Sequence, residues 1–280
     1  MIIWLASYPK SGNTWLRMFL RAYFLPEGNK FSINSKGNQD FESTTFPNVN
    51  LLKSSKVDHS KFENIIKNWI NLQDYVNLNG KINLLKTHNG NYTINNYPFT
   101  NTQNTIGGIY LVRDPRDVLL SFSNHLNLSQ EDVFKKMVSI DHFELDENDP
   151  DLKEGYKRSL LGSWSNHYLS WKSYKGRELL FLKYEDLVKN PYESFNKVLT
   201  YLKNFISFEL NNDKIRKSIE ITSFENLKKI EDNEGFLEQG MSKEFFRKGI
   251  IGDWKSNLKI DLSNKIESKF KKEMIELGYI

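Results

Sequence analysis

Four clusters in this 280-residue sequence carry side chains suited to gripping or moving a charged group. The first is Ser7-Tyr8-Pro9-Lys10-Ser11-Gly12-Asn13-Thr14-Trp15, set between an apolar run and an amphipathic stretch. A strand, a tight glycine turn and a helix start aim several free backbone N–H groups at one point, which makes an anion site. Lys10 adds a full positive charge, Ser11 and Thr14 add hydroxyl donors, and Gly12 lets the backbone approach closely. An ordinary strand-to-helix turn with a solvated lysine is the competing reading. The density of polar positions between a buried strand and a helix favours the anion site. The loop departs from the triphosphate pattern G-x-x-x-x-G-K-[ST], because its lysine precedes the glycine and the leading glycine is missing. No apolar strand ends in an aspartate placed to hold magnesium, so the expected anion needs no metal.

The second cluster, Arg113-Asp114-Pro115-Arg116-Asp117, follows an apolar run, with Ser121 two helical turns further on. Guanidinium is the natural bidentate partner of a terminal phosphate. The third, Phe246-Arg247-Lys248-Gly249-Ile250-Ile251-Gly252-Asp253-Trp254-Lys255, reads as a flexible basic clamp with Trp254 as a buried anchor. The fourth is Lys86-Thr87-His88 at the end of another apolar run, where a histidine faces a ligand crevice rather than the core. An imidazole with a pKa near 6.5 suits a general base. His59, His125, His142 and His167 show no metal-like spacing and read as structural.

Continuous apolar runs at 2–6, 82–85, 106–112 and 179–182 predict strands covered on both faces. Leu16, Phe19, Leu20, Tyr23 and Phe24 form one helical stripe; Leu160, Leu161, Trp164, Tyr168 and Trp171 form another. Asp114 caps a helix with Pro115 at its first position, and Asn190-Pro191 opens one carrying Phe195, Val198, Leu199 and Leu202. Asp261 is the expected cap of a last helix with Leu262, Ile266, Phe270 and Met274, stopped by Gly278. Strand and helix in alternation predict a parallel α/β sheet, and no linker divides it, so one domain over 1–280 is expected. The polar stretches 26–79, 89–105 and 124–156 are weakly periodic and are expected to shape the substrate site. Phe24, Phe31, Tyr92 and Phe143 are candidates to line an apolar acceptor cavity or simply core.

Composition sets the outer bounds. Charged residues at 26%, hydrophobic ones at 39% and aromatics at 14% describe a globular chain with ample core. There is no cysteine, which removes disulfides, thiolate nucleophiles and cysteine-held metals. No run approaches the ~20 apolar residues of a membrane helix, and the N-terminal MIIWLAS is too short for a signal-peptide core. A net charge of +4 is too mild to imply nucleic acid. A cytoplasmic protein without a membrane anchor is expected.

Together these segments resemble the cytosolic-type sulfotransferases that use 3′-phosphoadenylyl sulfate (PAPS). The family's 5′-phosphosulfate loop matches residues 8–15, and its 3′-phosphate motif matches Arg113 through Ser121. Its R-K-G-x-x-G-D-W-K signature stands at 247–255 without a mismatch. Lys86-Thr87-His88, Tyr184-Glu185-Asp186 and Thr222-Ser223-Phe224 also match, in the right order. The resemblance implies a single domain of P-loop nucleotide-kinase-like sulfotransferase fold, a central parallel β-sheet flanked by helices. It implies transfer of a sulfuryl group from PAPS to a hydroxyl or amine of a small-molecule acceptor, releasing adenosine 3′,5′-bisphosphate (PAP) without a metal. By the same resemblance His88 takes the acceptor's proton, Lys10 meets the leaving phosphate oxygen, and Lys86 lies beside the sulfuryl oxygens. Ser11, Gly12, Asn13 and Thr14 then hold the 5′-phosphate, and Arg113, Ser121, Arg247, Lys248 and Gly249 the 3′-phosphate. Trp15 and Phe224 sandwich adenine, with Tyr184 and Thr222 nearby. Asn13 replaces the threonine common in animal members. The family's dimer motif K-x-x-x-T-V-x-x-x-E is degraded at Lys259, Ile260 and Asn264, which leaves the oligomeric state open. The competing readings are a small-molecule P-loop kinase and a non-catalytic binder of adenosine bisphosphate or RNA.

Overall fold

The fold was analysed in a computed structural model that describes residues 1–34, 44–146, 156–238 and 244–280. Its main sheet has five strands in the order Thr44–Thr45, Asn83–Thr87, Ile2–Ser7, Thr105–Val112, Leu179–Lys183. Ile2–Ser7 lies at the centre, parallel to Asn83–Thr87 on one side and to Thr105–Val112 on the other. All six of its residues are buried, as a continuous apolar run requires of a strand covered on both faces. Leu179–Lys183, at the sheet edge, instead alternates buried and half-buried positions. The α/β reading therefore holds, and each of the four strands expected from apolar runs is present.

Residue contacts divide the chain into two compact units. The first comprises Met1–Tyr8, Ser43–Leu111 and Met137–Phe181. Its core is aromatic: Trp4 packs edge-on to Phe46 at 5.3 Å and against Phe99 at 5.0 Å, and its indole N–H donates to Thr105 Oγ1 at 2.8 Å. Trp69 and Trp171 pack on the same Phe99 ring. The second unit comprises Pro9–Glu42, Val112–Lys136 and Leu182–Ile280. Helix Asn13–Tyr23 buries Leu16, Phe19, Leu20 and Tyr23, and Phe19 stacks on Phe195 of helix Pro191–Leu202 at 3.8 Å. Such a pair contributes about 0.5–1.5 kcal/mol beyond its buried area.

Local signals set some boundaries and missed others. Asp114 caps helix Pro115–Leu126 by accepting the Arg116 N–H, with Pro115 at the first position as expected. The stripe beginning at Leu160 is cut short: Leu160 ends strand Tyr156–Leu160, and the helix starts at Trp164 with Ser163 as its cap. An apolar Leu-Leu pair does not distinguish strand from helix, whereas a serine cap does. The last helix begins at Ile260 with Lys259 at its cap position, not Asp261, and breaks at Phe270 before Lys271–Glu276. Trp254 is half-buried rather than a core anchor; the Arg116 guanidinium lies over its ring at 3.7 Å. The weakly periodic polar stretches contain helices Val49–Ser54, Phe62–Lys67, Trp69–Asn77 and Gln130–Val138, while residues 35–43 and 147–155 of them lie outside the described residues. Phe31 packs on the second unit's core beside Met18 and Leu227, and the Tyr92 hydroxyl donates to Leu161 O.

Candidate active site

In the second unit, the loop after the central strand enters helix Asn13–Tyr23 through Gly12, whose φ is 101° and which offers no side-chain cap. The cap position of this 11-residue helix thus supplies no side-chain acceptor to its first N–H groups. Lys10 is itself left-handed, at φ 65°, a conformation a bulky residue adopts only when its surroundings impose it. Its ammonium sits 3.9 Å from the centre of the Phe245 ring. Ser11 is fully buried. Asn13 and Thr14 are turned toward Arg17, which donates to Asn13 Oδ1 at 3.2 Å and forms an ion pair with Glu238.

Arg113 ties this loop to two other motifs. One guanidinium nitrogen donates to the Lys10 carbonyl at 3.3 Å, another to the Ile250 carbonyl at 3.1 Å, and the group lies 4.3 Å from the Tyr184 ring centre. Trp15 packs edge-on to the same Tyr184 at 6.2 Å. The C-terminal motif is held down by Asp117, a fully buried carboxylate that accepts the N–H groups of Gly252 at 2.7 Å and Trp254 at 3.0 Å. Burial pushes the Asp117 carboxyl up, against the pull of Arg113 and those two donors. Arg247 and Lys248 both reach Asp253 at 2.7 Å. Although burial acts the other way, their hydrogen bonds hold Asp253 below the usual carboxylate range. The backbone ahead of them is fixed by Glu231, which accepts the N–H groups of Phe245 at 2.6 Å and Phe246 at 2.9 Å. A Cβ on Gly249, at φ 64°, would overlap the Phe224 ring, so these two predicted residues are packed together. Thr222 is buried with its hydroxyl given to Ser218 O at 2.7 Å, and Ser121 is half-buried on its helix.

Three polar atoms of these residues are buried without a hydrogen-bond partner among the described residues: Ser11 Oγ, Trp15 Nε1 and Arg113 Nε. Buried donors are nearly always satisfied, so unsatisfied ones on these residues mark a candidate ligand site. The sequence singled out all three residues. It missed Asp117, Glu231 and Asp253 as the carboxylates that place the cations, because a lone acidic residue has no local signature.

In the first unit, His88 follows strand Asn83–Thr87 and is buried. Its Nδ1 lies 2.7 Å from the Ser7 carbonyl, which fixes Nδ1 as the protonated nitrogen and leaves Nε2 free to accept. Burial lowers its pKa to about 3; Lys86 and Arg158 push the same way, while Glu144 and the Ser7 bond oppose them. The residue is held in place through its backbone. His167 Nε2 donates to the His88 carbonyl at 3.1 Å, and Tyr110 donates its hydroxyl to His167 Nδ1 at 2.8 Å. The Trp171 indole donates to the next carbonyl, Asn89 O, at 3.0 Å. His142 Nδ1 lies 3.1 Å from the Tyr8 hydroxyl, so the structural reading of these two histidines stands.

These buried imidazoles have a measurable consequence. Burial holds His167 at about 4 and His88 at about 3, against about 6.5 unfolded. Below pH 6.5 the unfolded chain therefore binds more protons, and stability falls as pH drops toward 4. Each imidazole costs roughly 2–3 kcal/mol by pH 4.5. The Glu144 carboxyl sits at about 2, where Arg158, His88 and Lys86 outweigh its burial, so its contribution is lost only below about 4.5. The thermal midpoint is expected to drop by several degrees between pH 7 and pH 4.5; a flat profile would contradict the buried neutral state.

The sulfotransferase domain family matches residues 2–278. The chain belongs to that family. It is similar to Sulfotransferase 1B1 of Canis lupus familiaris, 28% identical over 96% of this chain and 82% of that protein. It is also similar to Cytosolic sulfotransferase 8 of Arabidopsis thaliana, 29% identical over 94% of this chain and 73% of that protein. The fold resembles mouse sulfotransferase SULT7A1 solved with PAP, at TM-score 0.62 and 21% identity over 98% of this chain and 84% of that one. This sulfotransferase has no helix long and apolar enough to cross a membrane among its described residues.

Proposed function

We propose that this sulfotransferase transfers the sulfuryl group of PAPS to a hydroxyl or amine of a small-molecule acceptor, as one domain over 1–280 acting in the cytoplasm. The observation that carries the reading is Arg113, hydrogen-bonded at once to the Lys10 carbonyl and the Ile250 carbonyl. Three segments far apart in sequence thereby share one guanidinium, beside the unsatisfied donors of Ser11, Trp15 and Arg113 itself. Those residues fit a nucleotide with phosphates at both its 5′ and 3′ positions. The helix start at Gly12, with Ser11, Asn13 and Thr14, takes the 5′-phosphate; Arg113, Ser121, Arg247, Lys248 and Gly249 take the 3′-phosphate. Trp15 and Phe224 hold the adenine, with Tyr184 supporting Trp15.

When bound, PAPS supplies an activated sulfuryl group, which carries one negative charge fewer than a phosphoryl group. Lysine and backbone donors therefore suffice where phosphoryl transfer uses magnesium. His88 accepts the acceptor's proton at Nε2, since Nδ1–H is held by the Ser7 carbonyl. Lys86, two residues earlier and buried, is assigned to the sulfuryl oxygens, and Lys10 to the leaving oxygen. Thermal shift separates this reading from a kinase: PAP is expected to raise the midpoint by several degrees without added metal. Stabilisation by ATP with magnesium but not by PAP would overturn it.

A further inference from the structure

The acceptor is the open question, and the antiparallel hairpin Phe143–Asp146 with Tyr156–Leu160 bears on it. This hairpin is pinned beside His88. Asn89 Oδ1 accepts the Leu160 N–H at 2.9 Å, and the Gly90 N–H donates to the Leu160 carbonyl at 2.9 Å. One rung away from that pin, Glu144 pairs with Ser159, and directly opposed residues in an antiparallel ladder project from the same face. The register then slips between Glu144 and Leu145, and Arg158 reaches Glu144 Oε1 at 2.8 Å. Glu144 is close enough to His88 for its charge to raise the imidazole pKa, against Lys86, which lowers it.

Two atoms on this face are left over. Glu144 Oε2 and Ser159 Oγ are both inaccessible to solvent and have no hydrogen-bond partner among the described residues. Ser159 is fully buried, and nothing in the proposed proton transfer uses either group. A buried carboxylate oxygen left unpaired costs more than the ~1–3 kcal/mol of a neutral polar atom. A carboxylate can only accept, so whatever completes it is a donor. Arg158 already pairs with Glu144 Oε1 at 2.8 Å, so a neutral hydroxyl is favoured over a second cation on the same carboxylate.

We infer that the acceptor carries a second hydroxyl beside the one that is sulfated, and that Glu144 Oε2 with Ser159 Oγ recognises it. The acceptor class is then a diol, a catechol or another polyhydroxy compound rather than an isolated alcohol or phenol. This rests on the sulfotransfer reading above.

The test is a panel of matched acceptors, followed by PAP release: phenol against catechol and resorcinol, cyclohexanol against cis-1,2-cyclohexanediol, and 4-ethylphenol against tyramine. One hydrogen bond to a charged group implies a kcat/KM preference for the dihydroxy partner of about 10-fold or more. Glu144→Gln places an amide where only an acceptor serves and is expected to reduce that preference to a few-fold. Ser159→Ala, a smaller perturbation, is expected to reduce it in part and keeps the test open if the first variant fails to fold. PAP affinity by calorimetry is expected to be unchanged in both. Equal use of mono- and dihydroxy partners, no turnover of any dihydroxy member, a preference for tyramine, or an unaltered preference in the folded variants each overturns the inference. Absence of PAP binding by the wild type would instead overturn the nucleotide reading.

Discussion

His88→Ala is expected to lower turnover by on the order of 10² or more while PAP affinity stays within about threefold of wild type. The asymmetry follows from where the residue sits. The hydrogen bonds of His88 run to Ser7 and His167, and no residue assigned to PAP shares them. Its Nδ1–H is engaged by Ser7 O and its backbone by His167, so the free Nε2 is the atom whose loss matters. His88→Asn separates position from basicity, because it retains a donor for the Ser7 carbonyl but has no proton-accepting nitrogen. Both variants are expected to be equally inactive. The pH profile adds an independent check. A nitrogen held at about 3 by burial stays neutral well below ordinary pH. With an aliphatic diol as acceptor, kcat/KM is thus expected to be flat between about pH 5 and 7, with no acid limb near 6.5. Turnover of His88→Ala within tenfold of wild type, or loss of PAP binding, would remove the assigned role.

Arg113→Ala is expected to cost the most in nucleotide affinity, a loss of about 10²-fold or more for PAP. The change removes more than one contact. It takes the donors from the Lys10 and Ile250 carbonyls and the ring contact from Tyr184. It also removes the cation 4.0 Å from Asp117, whose buried carboxylate holds the C-terminal motif through Gly252 and Trp254. Arg113→Lys is expected to recover little, because an ammonium is a point charge and cannot reach two carbonyls as a planar fork does. Calorimetry with PAP and with adenosine 5′-phosphate decides whether the arginine acts on the 3′-phosphate. The loss for PAP is expected to exceed the loss for adenosine 5′-phosphate at least tenfold. Equal losses would confine Arg113 to bracing the loop, and PAP affinity near that of wild type would exclude both roles.

The sequence alone determined the features that are local. A strand that enters a helix through a glycine turn needs only those residue types in succession, and residues 7–15 display them. Four of the five sheet strands were visible as apolar runs, and the Asp114-Pro115 cap was visible because capping acts over three residues. Only the tertiary structure decided what arranges those parts. Asp117 meets Gly252 across 135 residues of chain, Glu231 fixes Phe245 and Phe246, and Asp253 gathers Arg247 with Lys248. The protonated nitrogen of His88 depends on a carbonyl 81 residues away. The hairpin that brings Glu144 opposite Ser159 lies where the sequence reads as polar and weakly periodic. Each of these is a pairing between residues of common type, and no spacing along the chain encodes a hydrogen bond that forms only when distant segments meet.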